Sequence, residues 1–225
     1  MVFLQVILSS LPVILKGLWL TIEFSVVAVI LEVIIGLIAA LMRLSKVFIL
    51  RWVATAFVEL FRSTPLLVQL FFIVVGLPSI LPLNDWFGPR FYPVLGAILT
   101  LGLNEGAYVT EIIRAGIQGI DRGQKEAAAS IGMSNFQTMR YIVLPQAFKR
   151  MIPPLVNQAA QTVKDTSLLA PIGIVEMLYE GQTVIAETFK GFQIYSLIAI
   201  LYFIVIFSVS KLAAYVERRL QVDKR

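Results

Sequence analysis

The chain contains no cysteine and no histidine, and few of its side chains carry a charge. The lack of both residues excludes disulfide frameworks, thiol chemistry, haem ligation, the usual zinc sites and Ser-His-Asp catalysis. Only 15% of the 225 residues are charged and 58% are apolar, against about 25% and about 45–50% in soluble globular domains. With a mean hydropathy of +0.85, this composition predicts an all-α protein that crosses a membrane several times.

Five segments are apolar enough to predict membrane-spanning helices of roughly 20 residues or more. Residues 191–210 and 63–84 carry no charge, and residues 52–60 extend the second of these segments at its start. The other three predicted spans are residues 12–42, 93–117 and 151–175. All three contain charges, and the first is interrupted by Lys16, Glu23 and Glu32. We expect one transmembrane domain over residues 1–225 with no linker.

The distribution of the basic residues predicts the orientation of these spans. Thirteen of the 19 Lys and Arg side chains lie between the first and second spans, between the third and fourth, or after the fifth. Only Lys16, Arg90 and Lys190 lie in the opposite connections. The N-terminus is therefore predicted outside and the C-terminus in the cytoplasm. Basic cytoplasmic loops also explain the net charge of +5, so no nucleic-acid partner is expected.

The predicted cytoplasmic loop, residues 121–150, has the signals of an ordered structure. Residues 124–131 are rich in helix formers, Gly132 supplies a helix stop, and Ser134 is placed to cap a second helix from Asn135 to about Val143. We expect Pro145 to end that second helix. Two short helices joined at an elbow would project from the membrane. Because ordering such a loop costs chain entropy, it implies a partner.

The same loop resembles the E-A-A-x-x-x-G…I-x-L-P signature of permease subunits of ATP-binding-cassette (ABC) importers. The signature runs from Glu126 to Pro145 in this sequence. The simpler interpretation is an ordinary interfacial helical hairpin. The resemblance implies that the ATPase subunits dock here, and that coupling involves Glu126, Ala127, Ala128, Gly132, Met133 and Pro145.

Further motifs resemble the permeases for polar amino acids. Residues 61–69 are similar to an R-G-T-P-L-L-V-Q run, with Ser63 in place of the usual Gly, and residues 107–116 match A-Y-x-x-E-I-x-R-x-G. The resemblance implies a type I ABC importer permease in the bacterial inner membrane. It also implies a second permease chain, identical or related, a pair of ATPase subunits and an external amino-acid-binding protein.

The chain has no G-x-x-x-x-G-K-[ST] loop to hold a nucleotide phosphate. We therefore expect a transport subunit without enzymatic activity, catalytic residues, metal site or cofactor of its own. ATP and Mg²⁺ would bind to the partner ATPase.

Charged residues within spans need a partner or a function. Glu59 with Arg62, and Glu111 with Arg114, are spaced to pair on their own helices, and structural ion pairs are the simpler interpretation. Glu105 has no cationic neighbour three or four residues away and lies near the middle of its span. It could bind a cationic substrate side chain, pair with Lys164 or Arg62 on another helix, or stay protonated through burial.

A polar stripe is predicted on the fourth span, where Asn157, Gln161 and Lys164 follow at helical spacing. Such a stripe indicates a substrate pathway or hydrogen bonds between helices. Asn104 and Tyr108 lie beside Glu105 on the third span. Prolines at 65, 153 and 154 are expected to break helices near this pathway. The predicted pathway residues are Glu105, Asn104, Tyr108, Glu59, Arg62, Asn157, Gln161 and Lys164.

The presence of Glu105 favours a cationic substrate such as arginine, lysine or histidine, with glutamine or another polar amino acid as the alternative. Two other classes are less consistent with the sequence. An intramembrane enzyme would have to use Glu105, Glu111 or Lys164 without histidine, cysteine or a G-x-S-x-G elbow. An ion-driven transporter with five spans and no repeat would lack the inverted repeats common in such folds.

Overall fold

The computed structural model describes residues 2–221, and all regular structure in that range is helical, as predicted. Lys224 and Arg225, which were counted with the basic C-terminus, lie outside the described residues. Short π-helical or 3₁₀ segments follow α3, α7 and α8. In chain order the α-helices are α1 Val2–Leu44, α2 Phe48–Arg62, α3 Leu66–Leu70, α4 Leu83–Phe87, α5 Phe91–Gln118, α6 Arg122–Ser130, α7 Asn135–Gln137, α8 Leu144–Asp165, α9 Met177–Thr188 and α10 Gly191–Gln221.

Within residues 2–221, two helices are long and apolar enough to cross a membrane alone, over Gln5–Leu44 and Gly191–Tyr215. Two further pairs of helices qualify only if each bent pair is counted as one span. At 43 residues, α1 is about 65 Å long, more than the about 40–45 Å of a whole bilayer, so it must tilt or extend beyond it. The count of five spans and the outside N-terminus stay predictions.

The second predicted span is not one straight helix. Its two halves, Phe48–Arg62 and Leu66–Ser79, meet at an angle of 105°. Pro65 caps the second half, and a proline disfavours helical geometry in the residue before it. The side-chain amide of Gln69 donates to the carbonyls of Phe61 and Thr64, at 3.0 and 3.1 Å, so the break does not leave these groups unsatisfied.

Helix α5 lies in the interior, with α1 packed closely along it. The two backbones approach because glycines face the partner helix. A Cβ added at Gly36 would lie 2.4 Å from Cγ1 of Val109, and one at Gly106 would lie 2.9 Å from Cγ2 of Ile35. Small residues at such contacts replace hydrophobic burial as the means of holding helices together in lipid.

The predictions for three prolines in the second half of the chain are wrong. The helix continues past Pro145. The π turn Thr138–Val143 ends with the Leu144 N–H donating to the Met139 carbonyl. Pro145 then lies in the first turn of α8, where no backbone N–H is needed. Pro153 and Pro154 lie inside α8 without ending it. The preceding turn is exposed at Lys149 and Arg150, where water can hydrate its backbone.

A fully buried carboxylate, Glu176, joins α1, α9 and α10. It caps α9 by accepting the Tyr179 N–H at 2.8 Å. It also accepts the hydroxyls of Thr21 at 3.3 Å and Tyr202 at 3.1 Å. Thr21 in turn accepts the Met177 N–H. Every oxygen of the Glu176 carboxylate therefore has a hydrogen-bond partner, although Glu176 is fully buried.

Replacing Glu176 by leucine is expected to destabilise the protein by about 3 kcal/mol, because the Thr21 hydroxyl, the Tyr202 hydroxyl and the Tyr179 N–H all lose the acceptor that Glu176 supplies. The measurement is the thermal unfolding midpoint of the purified protein in detergent. Glu187→Gln, at an exposed position, is the control. A Glu176→Leu midpoint equal to that of the wild type would contradict a stabilising role for the cluster.

Candidate functional site

A cavity of about 260 Å³ between α5 and α8 collects polar side chains from both helices. Two of its lining residues come from α5 and three from α8. Three of the five, Glu105, Tyr108 and Gln161, are among the predicted pathway residues. The full lining is Glu105, Tyr108, Gln158, Gln161 and Asp165.

Glu105 is 2% exposed, and its carboxylate accepts a hydrogen bond from the Gln158 side-chain amide. The alternative in which Glu105 pairs with Lys164 or Arg62 is therefore wrong, since neither residue forms an ion pair with it. Behind the cavity, Thr162 Oγ1 donates to the buried Glu32 carboxylate at 2.6 Å. The cavity wall is thus a hydrogen-bonded network that joins α1, α5 and α8 and that has acidic groups at its centre.

The open side of the cavity is formed by the C-terminal turns of α8. The Gln161 amide donates to both carboxylate oxygens of Asp165, at 3.1 and 3.2 Å. The ammonium of Lys164 lies 3.5 Å from the Gln161 Oε1 atom, on the exposed face of the helix. Gln161 therefore links the one basic group of this stripe to the acidic cavity.

The side chain of Asn104 forms hydrogen bonds at the bend between α2 and α3. Its amide donates to the Phe61 carbonyl at 3.0 Å and to Gln69 Oε1 at 2.9 Å. It is buried and does not line the cavity. The interpretation of Asn104 as hydrogen bonding between helices therefore fits its contacts better than a place in the pathway.

Three more of the pathway candidates lie outside the cavity lining. The Arg62 guanidinium lies over the ring of Tyr108, 5.1 Å from its centre, which is cation–π geometry. This contact places a positive charge beside one of the cavity residues. The expected ion pair of Glu59 with Arg62 is not present among the described residues. Glu59 and Asn157 are exposed on α2 and α8, and Asn157 lies one position from the cavity residue Gln158.

The expected pair of Glu111 and Arg114 is present, with Arg114 Nη2 2.6 Å from Glu111 Oε2. Glu111 also forms an ion pair with Arg43 of α1. Arg114 donates further to Gln118. This bridge fixes the C-terminal ends of α1 and α5 to each other, at the end of the bundle that carries the loop of residues 121–150.

Sequence reasoning missed Gln158, Asp165 and Glu32 as members of this site. A usable signal was present, since Gln158 and Thr162, and Gln161 and Asp165, are i,i+4 pairs that form a polar face beside the stripe of Asn157, Gln161 and Lys164. Glu32 had no local signal beyond its charge in an apolar helix.

The elbow after α6 has the geometry of a Schellman motif. Gly132 has φ of 82°, its N–H donates to Ala129 at 3.0 Å, and the Met133 N–H donates to Ala128 at 3.1 Å. These are the two bonds that define the motif. The prediction that Gly132 stops the first helix of the loop is confirmed.

Beyond the elbow, Ser134 and Gln137 form a capping box with bonds of 2.8 and 3.3 Å. Ala128 is buried, whereas Glu126 and Ala127 are exposed. The large apolar side chains of Ile131 and Phe136 are 78% and 72% exposed on either side of Gly132.

Comparisons with known proteins agree on the kind of protein that carries these features. A family model described as binding-protein-dependent transport system inner membrane component matches residues 32–222. The chain is 37% identical over 213 residues to the glutamine transport system permease protein of Escherichia coli (strain K12), with 95% of each chain covered. It is 39% identical over 213 residues to the L-cystine transport system permease protein of Bacillus subtilis (strain 168), covering 94% of this chain and 88% of the relative.

Solved structures match the fold over nearly the full length. An amino acid ABC transporter with histidines superposes with a TM-score of 0.87 at 36% identity, covering 96% of this chain and 98% of the other. An inward-facing methionine ABC transporter, at 17% identity and a TM-score of 0.73, shares the fold over 93% of this chain and 97% of the other. The chain therefore belongs to the family of binding-protein-dependent transport system inner membrane components, among the permease subunits of amino-acid ABC transporters.

Proposed function

We propose that the chain is the membrane permease subunit of an ATP-driven importer for glutamine or another polar amino acid, and that the α5–α8 cavity is its substrate site. The observation that carries this proposal is the convergence of Glu105, Gln158, Gln161 and Asp165 in one cavity. A separate ATPase would bind and hydrolyse ATP, since the sequence has no phosphate-binding loop of its own.

The cavity suits the zwitterionic part of any amino acid. The carboxylates of Glu105 and Asp165 match an α-ammonium group. The Arg62 guanidinium, which lies over the Tyr108 ring, can take the α-carboxylate as a substrate enters beside Tyr108. Gln158 and Gln161 offer amides, which both donate and accept hydrogen bonds and so match a polar side chain such as that of glutamine.

A neutral polar substrate now has more support than a cationic one. The two permease proteins compared above are named for glutamine and for L-cystine, whereas the solved transporter at 36% identity is described with histidines. The carboxylate of Glu105, on which the cationic interpretation rested, already accepts a hydrogen bond from Gln158. Because every amino acid carries an α-ammonium group, an acidic cavity alone does not select a cationic side chain.

The proposed partners are inferred from surfaces that are exposed on the single chain. Asn157, Gln161 and Lys164 are exposed on α8, and polar groups at membrane depth rarely face lipid. A second permease chain, identical or related, would cover them and complete the pathway. The elbow around Gly132 would seat the ATPase, and an external binding protein would deliver the amino acid.

Glu105→Gln is expected to reduce glutamine uptake at low substrate concentration about tenfold, because the loss of one charge-assisted contact to the α-ammonium is worth about 1.4 kcal/mol. The assay is ATP-dependent uptake of radiolabelled glutamine and arginine into proteoliposomes that hold the chain, its ATPase and its binding protein. Basal ATP hydrolysis should stay unchanged.

Glu59→Gln, which removes an exposed carboxylate outside the cavity, is the matched control and should transport normally. Unchanged glutamine uptake by Glu105→Gln would make Glu105 a structural residue. Preferred uptake of arginine by the wild type, lost in Glu105→Gln, would restore the cationic interpretation.

A further inference from the structure

Arg150, in the second turn of α8, reaches the end of a different helix. Its guanidinium donates to the carbonyl of Gly119, the residue that caps the C-terminus of α5. The last carbonyls of a helix have no partner within it, and a positive charge there is also favourable for the helix dipole. The contact therefore gives the Gly119 carbonyl a hydrogen-bond donor and also places a positive charge at the C-terminus of α5.

Gly119, the residue that Arg150 contacts, lies in the short connection that leads into α6, the helix proposed to couple to the ATPase. Only residues 119–121 separate α5 from α6, and Asp121 caps α6 by accepting the Gly123 N–H at 2.6 Å. Ile120, between Gly119 and Asp121, is buried in one cluster with Val143 of the π turn and Ala147 of α8. Residues 119–121, which precede α6, are thus attached to α8 by apolar packing and by one charged hydrogen bond.

A second polar contact joins the two elements further along. The Gln146 amide of α8 lies 3.4 Å from Gln124 of α6 and donates to the Ile142 carbonyl at 2.9 Å. This contact is long and shared, so it is weaker than that of Arg150. Of these two contacts that of Arg150 is the stronger, and it joins α8 to the connection between α5 and α6.

The other end of α8 carries the cavity. Gln158, Gln161 and Asp165 lie 8 to 15 residues beyond Arg150, about 12–22 Å along α8, which continues as one helix through Pro153 and Pro154. A displacement of α6 by the ATPase would therefore reach these side chains through α8, provided that α6 and α8 move together.

We propose that Arg150 is a positioning residue for energy coupling, which makes α6 and the pathway helix α8 move as one body. This inference rests on the proposed function as an ATP-driven permease. Arg150 is not among the residues that line the cavity of Glu105; it lines a separate cavity with Glu111 and Pro154. The role proposed for it is therefore the transmission of movement to the Glu105 cavity and not a contact with substrate there.

The first test is the number of amino acids transported per ATP hydrolysed in proteoliposomes. Arg150→Gln is expected to lower this ratio about tenfold, within the usual range of coupling between sites, while the rate of ATP hydrolysis and the substrate affinity stay the same. Arg150→Lys keeps a charged donor and should retain most of the ratio. An unchanged ratio in Arg150→Gln, or an equal loss in both variants, would overturn the proposal.

The second test measures the movement directly. Because the chain has no cysteine, spin labels on Ser130→Cys in α6 and Ser167→Cys after α8 report a single distance within each chain. In the assembled transporter this distance should stay constant between the nucleotide-free and ATP-bound states, and should change in Arg150→Gln. A distance that changes in the wild type would overturn the proposal, whereas a wild type without ATP-driven uptake would overturn the proposed function alone.

Discussion

Gly132→Val is expected to abolish ATP-driven uptake while the protein still inserts into the membrane and folds. Gly132 has φ of 82°, where an L-residue costs about 1–2 kcal/mol and a β-branched one more. The strain is relieved only if the backbone leaves this region, which breaks the bonds of Gly132 to Ala129 and of Met133 to Ala128. The elbow would then change direction, and the exposed side chains of Ile131 and Phe136 on its two sides would change position relative to each other.

Uptake and ATP hydrolysis stimulated by the loaded binding protein are the quantities to measure for this variant. Gly132→Asn is the matched control, because asparagine accepts left-handed backbone geometry at helix ends and no atom lies within 4 Å of an added Cβ. It should transport close to the wild-type rate. If the valine variant transports as well as the asparagine variant, the geometry of the elbow does not matter for coupling.

The features predicted well from the sequence are those that depend on neighbours within a few residues. The end of α6 at Gly132 and the cap at Ser134 each follow from one residue type in one local setting. The same holds for the break at Pro65 and for the pair of Glu111 and Arg114.

Local rules failed where the surrounding helix changed their meaning. A proline normally ends a helix because of its missing N–H and its ring, but a π turn in front of Pro145 removes the need for that N–H. The sequence has no separate signal for the π turn. Pro153 and Pro154 are tolerated for a reason that also depends on position, namely the exposed turn before them.

The site was predicted in part, since its residues come from helices that are far apart in sequence. Helical spacing found Gln161 but favoured the stripe with Asn157 over the neighbouring face with Gln158 and Asp165. Only the packing of α5 against α8 decides which face meets Glu105. For the same reason, the partner of Asn104 at the bend of α2 and α3 could not be read from either segment alone.

Gly36→Val is expected to have the largest effect on folding, with little folded protein recovered from membranes. Even the Cβ of alanine would lie 2.4 Å from Val109 Cγ1, 2.6 Å from Val109 Cβ and 3.1 Å from the Gly106 carbonyl. Because atoms cannot approach so closely, α1 and α5 must separate. Overpacking of this kind costs about 1–3 kcal/mol for a modest excess of volume, and valine adds two methyl groups more than alanine. Yield and thermal midpoint by fluorescence-detected size exclusion measure the loss.

The cause can be isolated with a smaller change and its compensation. Gly36→Ala alone should lower the midpoint, Val109→Ala alone should lower it through a lost core contact, and the double variant should be less destabilised than the two losses added together. Gly76→Ala, whose Cβ would meet its nearest neighbour at an ordinary 3.7 Å, is the control for replacing a glycine in a helical segment. If the two substitutions are additive, the clash with Val109 is not what keeps Gly36 small, and the approach of α1 to α5 would have to depend on the other contact of Gly36, the Gly106 carbonyl.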